Sequence, residues 1–218
     1  MKRRAVRPRR RLLAGAALAA VTLAACAARA EPAGDAARGE EIFKAKLCAR
    51  CHAPTEPKTA GPLLGELRRP QGAYELSGRL WNHAPGMFTV FMQEGLAWPV
   101  ISETEMANLM AYLNADAARD PTPDPRKGQL TLVSKGCLKC HAFRGEGARV
   151  APDLAEVRDD YAPPARWAAR MWSHTPRIAA KALELGVAYP RFTADEMTHL
   201  LGFLRTGGAR RSPRRRNS

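Results

Sequence analysis

Apolar positions recur at helical spacing in several places along the chain. Met106, Leu109, Met110 and Leu113 recur at three- and four-residue spacings. They predict an amphipathic helix over 103–113, and the matching pattern over 194–204 predicts another. Leu76, Leu80, His83 and Met87 share one helical face, and so do Trp167, Met171, His174 and Ile178. Segments 35–48 and 125–137 predict two further helices, and Ser102, Thr104 and Thr193 are candidate N-caps. No segment alternates apolar and polar residues as a half-buried strand would, so the pattern is all-α.

The pattern also repeats. Gly39, Cys48 and His52 match Gly128, Cys137 and His141, each 89 residues on. Further along, Trp81-Asn82-His83-Ala84-Pro85 matches Trp172-Ser173-His174-Thr175-Pro176 at an offset of 91. Glu105, Met106, Leu109 and Leu113 match Glu196, Met197, Leu200 and Leu204. Prolines at 121, 123 and 125 mark the join as an extended, stiff connector. The expected layout is one domain over 35–114, a linker over 115–124 and a second domain over 125–205. Each half is small for a self-sufficient core, so a buried cofactor would supply apolar surface.

Charge at first points elsewhere. The 218 residues carry a formal net charge of +14, which suggests a polyanionic partner. Its distribution removes that reading. Seven cations lie in residues 1–25 and five arginines between Arg210 and Arg216, with no acid in either stretch. The body between is nearly neutral, and no nucleic acid is expected as partner. The first cluster precedes Leu12–Ala25, which has the length of a signal-peptide core and is short for a membrane span. Leu23-Ala24-Ala25-Cys26 resembles a lipobox, which would leave a lipidated Cys26 as a membrane tether over 26–34. Ala28-Arg29-Ala30 offers an ordinary cleavage site instead. Either way the expectation is export, to a bacterial periplasm. The 206–218 tail reads as a solvated, Arg-rich end.

Cys48-Ala49-Arg50-Cys51-His52 and Cys137-Leu138-Lys139-Cys140-His141 are two C-x-x-C-H motifs. In an exported chain this spacing reads as covalent attachment of haem c, one group per motif. Two thiols one turn apart add to the two vinyl groups of a porphyrin. The adjoining His52 or His141 then sits under the iron as proximal ligand. The competing readings are a four-cysteine zinc site and a thioredoxin-like redox pair. The first needs both C-x-x-C pairs together, the second a βαβ context.

Each half resembles a class I cytochrome c domain. The resemblance rests on the helix before C-x-x-C-H, then Gly61-Pro62-Leu63 or Ala151-Pro152-Asp153-Leu154, then a helix ending Tyr112-Leu113 or Phe203-Leu204. It implies two tandem all-α cytochrome c domains with two haem c groups. It also implies that the carbonyls of Pro62 and Pro152 orient His52 and His141; a proline that only sets a turn is the alternative. The family's usual Met-Pro, whose sulfur is the sixth iron ligand, is missing. Trp98-Pro99 and Tyr189-Pro190 stand there.

His83 and His174 are the candidate replacements, because each lies on an otherwise apolar stripe. Met87 is the rival in the first half and Met171 in the second; Met92 is weaker, and a five-coordinate iron is a third option. Met106 and Met197 read as core. Trp81 and Trp172 are expected to pack on the porphyrin, to donate to a propionate, or to fill the core. The expected function is single-electron transfer between redox partner proteins, with no enzymatic step. The alternatives are a cytochrome subunit of a dehydrogenase, and a haem enzyme or sensor with one open iron.

Overall fold

The computed structural model describes residues 34–53, 61–193 and 195–207. The expected signal run, Cys26, most of the tether and the arginines after 207 lie outside the described residues. So does position 194, the expected start of the last helix.

The described residues are mostly helical. The first half contains α1 (Ala36–Ala45), α2 (Cys48–Cys51), α3 (Leu64–Leu67), α4 (Ala73–Gln93) and α5 (Glu103–Tyr112). The second contains α6 (Pro125–Ser134), a 3-10 turn (Cys137–Lys139), α7 (Pro164–Glu184) and α8 (Glu196–Gly207). Residues 142–143 and 146–147 pair as an antiparallel hairpin. Strands of two residues are too short to leave an alternating signal in sequence.

Asp35 and Asp124 cap α1 and α6, each accepting two backbone N–H bonds. Both helices stop short of the cysteines they were expected to reach. Leu47 and Gly136 adopt φ of 65° and 70°, which breaks the helix and turns the chain into C-x-x-C-H. Ser102 caps α5 through a reciprocal box with Glu105; Thr104 lies inside the helix.

In each half the first and last helices cross closely. A Cβ at Gly39 would lie 2.6 Å from that of Tyr112, and one at Gly128 would lie 2.5 Å from that of Phe203. Only glycine permits this approach. The crossing is also pinned at the caps: Asp35 N–H donates to Asn108 Oδ1 at 2.9 Å, and Asp124 N–H to His199 Nδ1 at 3.1 Å. Matched ion pairs bind the turn after each first helix to its last helix, Lys46–Glu105 and Lys135–Glu196, both at 2.8 Å.

The long helices α4 and α7 are shared between the halves. One face of α4 (Leu76, Leu80, Met87) packs with the first-half core, whereas Trp81 is buried in the second-half core with Phe192 and Met197. On α7, Trp167, Met171 and Ile178 belong to the second-half core, whereas Ala165, Ala168, Ala169 and Trp172 belong to the first. The second stripe has i, i+3, i+4, i+7 spacing, and its small residues allow close packing.

The linker is packed against both halves. Asp120 accepts N–H bonds from Tyr74 and Glu75 at the start of α4 and lies 3.4 Å from Thr198 Oγ1. Among the described residues, no helix is long and apolar enough to cross a membrane.

Candidate functional site

Cys48, Cys51, His52, Pro62, His83 and Met87 line one cavity of about 430 Å³. The rest of its wall is mainly apolar, from Phe43 on α1, Leu76, Leu80 and Val90 on α4, and Met106, Leu109 and Met110 on α5. Three helices, α1, α4 and α5, thus share the cavity wall with the C-x-x-C-H motif. Lys46 and Arg79 are the cationic side chains in the lining.

His52 Nδ1 lies 3.1 Å from the carbonyl of Pro62. Gly61 leaves room for this ring, because a Cβ there would collide with His52 Cε1 and Nδ1. His141 Nδ1 lies 2.8 Å from the carbonyl of Pro152. On the long helices, His83 Nδ1 lies 2.7 Å from Arg79 O and His174 Nδ1 lies 2.6 Å from Arg170 O. With Nδ1 as the donor in these contacts, each of the four rings keeps an Nε2 lone pair. That is the tautomer a metal-ligating histidine needs.

The four described cysteines are free thiols. Burial pushes the Cys48 and Cys137 thiols up to about 11. This opposes a thioredoxin-like role, in which the leading thiol must be a stable thiolate. Among the described residues, no three His, Cys, Asp or Glu side chains are gathered to hold a metal ion. The C-x-x-C pairs lie in different halves and are not placed as a zinc site.

Trp81 and Trp172 fill the core, one of the three places expected for them. Trp81 Nε1–H donates to Pro190 O at 2.7 Å, and Trp172 Nε1–H to Pro99 O at 2.8 Å. Both indole donors are therefore engaged by main-chain carbonyls of the opposite half. The reason lies in W-x-H-x-P. Pro85 and Pro176 have no N–H to offer the carbonyls of Trp81 and Trp172, four residues earlier. Those carbonyls accept instead from Tyr189 Oη at 3.2 Å and Trp98 Nε1 at 3.1 Å. Trp98-Pro99 and Tyr189-Pro190, where a methionine ligand was missing, are thus docking points for the other half's long helix. Tyr189 is held there as a neutral phenol, its pKa raised by burial.

Trp172 nonetheless reaches the first cavity wall; Trp81 lies in the second-half core. Met171 packs at the edge of that core, as does Cys137. Met106 and Met197 are fully buried, and Met92 is exposed at the end of α4. Trp167, placed from sequence on the helical face of α7 at the position matching Leu76, is buried, and its Nε1–H is unpartnered, which the sequence did not indicate. An orphaned buried donor calls for an acceptor that the chain does not itself supply.

These residues fit a covalent haem. An apolar slot lined by two thiols and a carbonyl-oriented imidazole is what the group requires, and His83, an exposed residue, adds a second imidazole to the lining. The unpartnered Trp167 donor suits an acidic substituent in the second half. No curated protein and no solved structure matches the chain. Residues 126–208 match the family model described as Cytochrome c. The chain contains a cytochrome c domain there, and such a domain implies a covalently bound haem c.

Proposed function

We propose that the protein is an exported dihaem c-type cytochrome that carries single electrons between redox partner proteins. The first half acts as a second cytochrome c domain. The observation that carries this reading is the first-half cavity, an apolar slot lined by Cys48, Cys51, His52, Pro62 and His83 together.

Cys48 and Cys51 hold one haem, and Cys137 and Cys140 the other. His52 and His141 are the proximal ligands, oriented by Pro62 and Pro152. His83 and His174 are the distal ligands, held through Nδ1 with Nε2 presented. When bound, each haem takes up and returns one electron at its iron. The apolar walls exclude water, and two nitrogen ligands keep the potential below that of a histidine–methionine centre. Trp167 N–H would bind a propionate of the second haem. Export, with Cys26 as a lipid tether in the periplasm, rests on the 12–25 apolar run and the residues before Cys26.

The test is haem quantitation of the purified protein with electron paramagnetic resonance and absorption of the ferric form. Two haems per chain and two low-spin bis-nitrogen signals are expected, with one lost in each of His83→Ala and His174→Ala. A thioether–iron band of two-haem intensity would overturn the bis-histidine assignment. Full, fast binding of carbon monoxide by the reduced protein would point to open iron instead.

A further inference from the structure

Trp172 belongs by sequence to the second half, two residues before His174, yet its side chain lines the first cavity. It is held there by three independent contacts. Its ring stacks on Trp98, with centroids 4.1 Å apart and planes 18° from parallel. Its N–H donates to Pro99 O, and its own carbonyl receives the Trp98 N–H. Trp81 makes the reciprocal set in the second half: it stacks on Tyr189 at 5.0 Å and 19°, donates to Pro190 O and accepts from Tyr189 Oη. Each long helix therefore carries, two residues apart, a histidine belonging to its own half and a tryptophan fixed in the other.

We propose that these crossed tryptophans couple the two haem sites, so that reduction of one makes the other harder to reduce. This rests on the dihaem reading above. A helix moves as a unit within a close-packed core, so a displacement at Trp172 is also a displacement at His174. Charge added beside a buried indole is weakly screened and acts on the helix that bears it. Linkage makes the effect mutual. Each step moves one electron from a sulfur dioxide radical anion, formed when dithionite dissociates and released as sulfur dioxide, to the site being reduced; no bond in the protein is made or broken. The expected coupling is about five-fold or more in the second site's electron affinity.

The chain has four tryptophans, all of them in the long helices or at the docking point. The holoprotein is labelled with fluorotryptophan, the four resonances are assigned by single Trp→Phe variants, and reduction is followed stepwise by fluorine resonance. Crossed sites predict that Trp98 and Trp172 respond in one step, and Trp81 and Trp167 in the other. Grouping by sequence, Trp81 with Trp98 and Trp167 with Trp172, would overturn the proposal, as would a single step shared by all four. Trp172→Phe is expected to narrow the gap between the two steps; an unchanged gap overturns the coupling. Should that variant fail to fold, its resonance is assigned by elimination from the other three, and the grouping still decides. A readout independent of haem is the near-ultraviolet circular dichroism of the stacked indoles, which Trp98→Phe and Trp172→Phe should abolish alike and Trp81→Phe should leave. One haem per chain would instead remove the dihaem reading itself, and the coupling with it.

Discussion

Gly128→Ala tests whether the first-to-last helix crossing sets the geometry of the site. Gly128 lies inside α6, where alanine would ordinarily gain about 1 kcal/mol of helix propensity. Here the added Cβ would stand 2.5 Å from Phe203 Cβ and 2.8 Å from the carbonyl carbon of His199. Ordinary contact begins near 3.4 Å, so α6 and α8 must separate by roughly 1 Å, a large strain in a core this dense. Overpacking of this kind costs about 1–3 kcal/mol. The same separation strains the 3.1 Å bond from Asp124 N–H to His199 Nδ1, worth about 1 kcal/mol more. The crowding outweighs the propensity, and a net loss of about 1–3 kcal/mol is expected. At about 2–4 °C per kcal/mol, Tm should fall by roughly 2–12 °C. Urea unfolding followed by far-ultraviolet circular dichroism measures it. Gly65→Ala is the control, since nothing lies within 4 Å of its added Cβ; it should be neutral or slightly stabilising. A Gly128→Ala protein as stable as the parent would refute the steric account of the crossing.

Two further outcomes follow from the pairing of the halves. Trp81→Phe leaves Pro190 O without its 2.7 Å donor, a loss of about 1–3 kcal/mol. Hydrogen exchange should accelerate over 189–204 although the substitution lies in the first half; acceleration confined to 36–45 would contradict the shared-helix architecture. The carboxyls of Glu105 and Glu196 are held below the ordinary glutamate value. The Lys46 ammonium lowers Glu105, and the Lys135 ammonium and Thr193 lower Glu196 against the opposing effect of burial. A depressed pKa in the folded state means stability that is present above the unfolded value of 4.5 and lost as pH falls through the lowered one. Glu105→Gln with Glu196→Gln should flatten the acid limb of a stability–pH curve by about 0.5–1 kcal/mol per pair. An unchanged limb would mean that the pairs add nothing.

Much of the site was legible because its signals are local. C-x-x-C-H declares itself within five residues. The Leu76–Met87 stripe is read from one helix, and all four of its members line the cavity. The helix before each motif was found, but its end was not: the break at Leu47 depends on a left-handed residue that nothing in its side chain announces, and only the glycine at the matching break, Gly136, carries such a signal. The contact between the halves was invisible for a different reason. Tyr74, Ser77, Gly78 and Trp81 form a second stripe on α4, but two small residues and two amphipathic aromatics do not read as an apolar face. Their partners lie 87 residues or more away in sequence: Tyr74 donates to Tyr161 O, Gly78 lies against Met197 and Phe192, and Trp81 donates to Pro190 O. Trp98 and Tyr189 first drew notice only for not being methionine. Their role requires knowing that a proline four residues after a tryptophan frees that residue's carbonyl, and that the opposite half brings a donor to it. Trp167 was read as a member of the α7 stripe, but its unpartnered N–H was not legible, because the matching position in the first half is a leucine with no donor to compare.

The shared long helices also change what the linker does. With α4 and α7 each completing the neighbouring core, the two halves are needed in equal number and in the same place. The covalent join through Asp120 guarantees both. A nick there would release fragments that each present a long helix with an uncovered aromatic stripe and a docking point with no guest. Such pieces have every reason to seek one another, or a second copy. The pairing is therefore locked in: neither half can be lost or exchanged without stripping the other, and a substitution at Trp98 has to be answered across the molecule at Trp172.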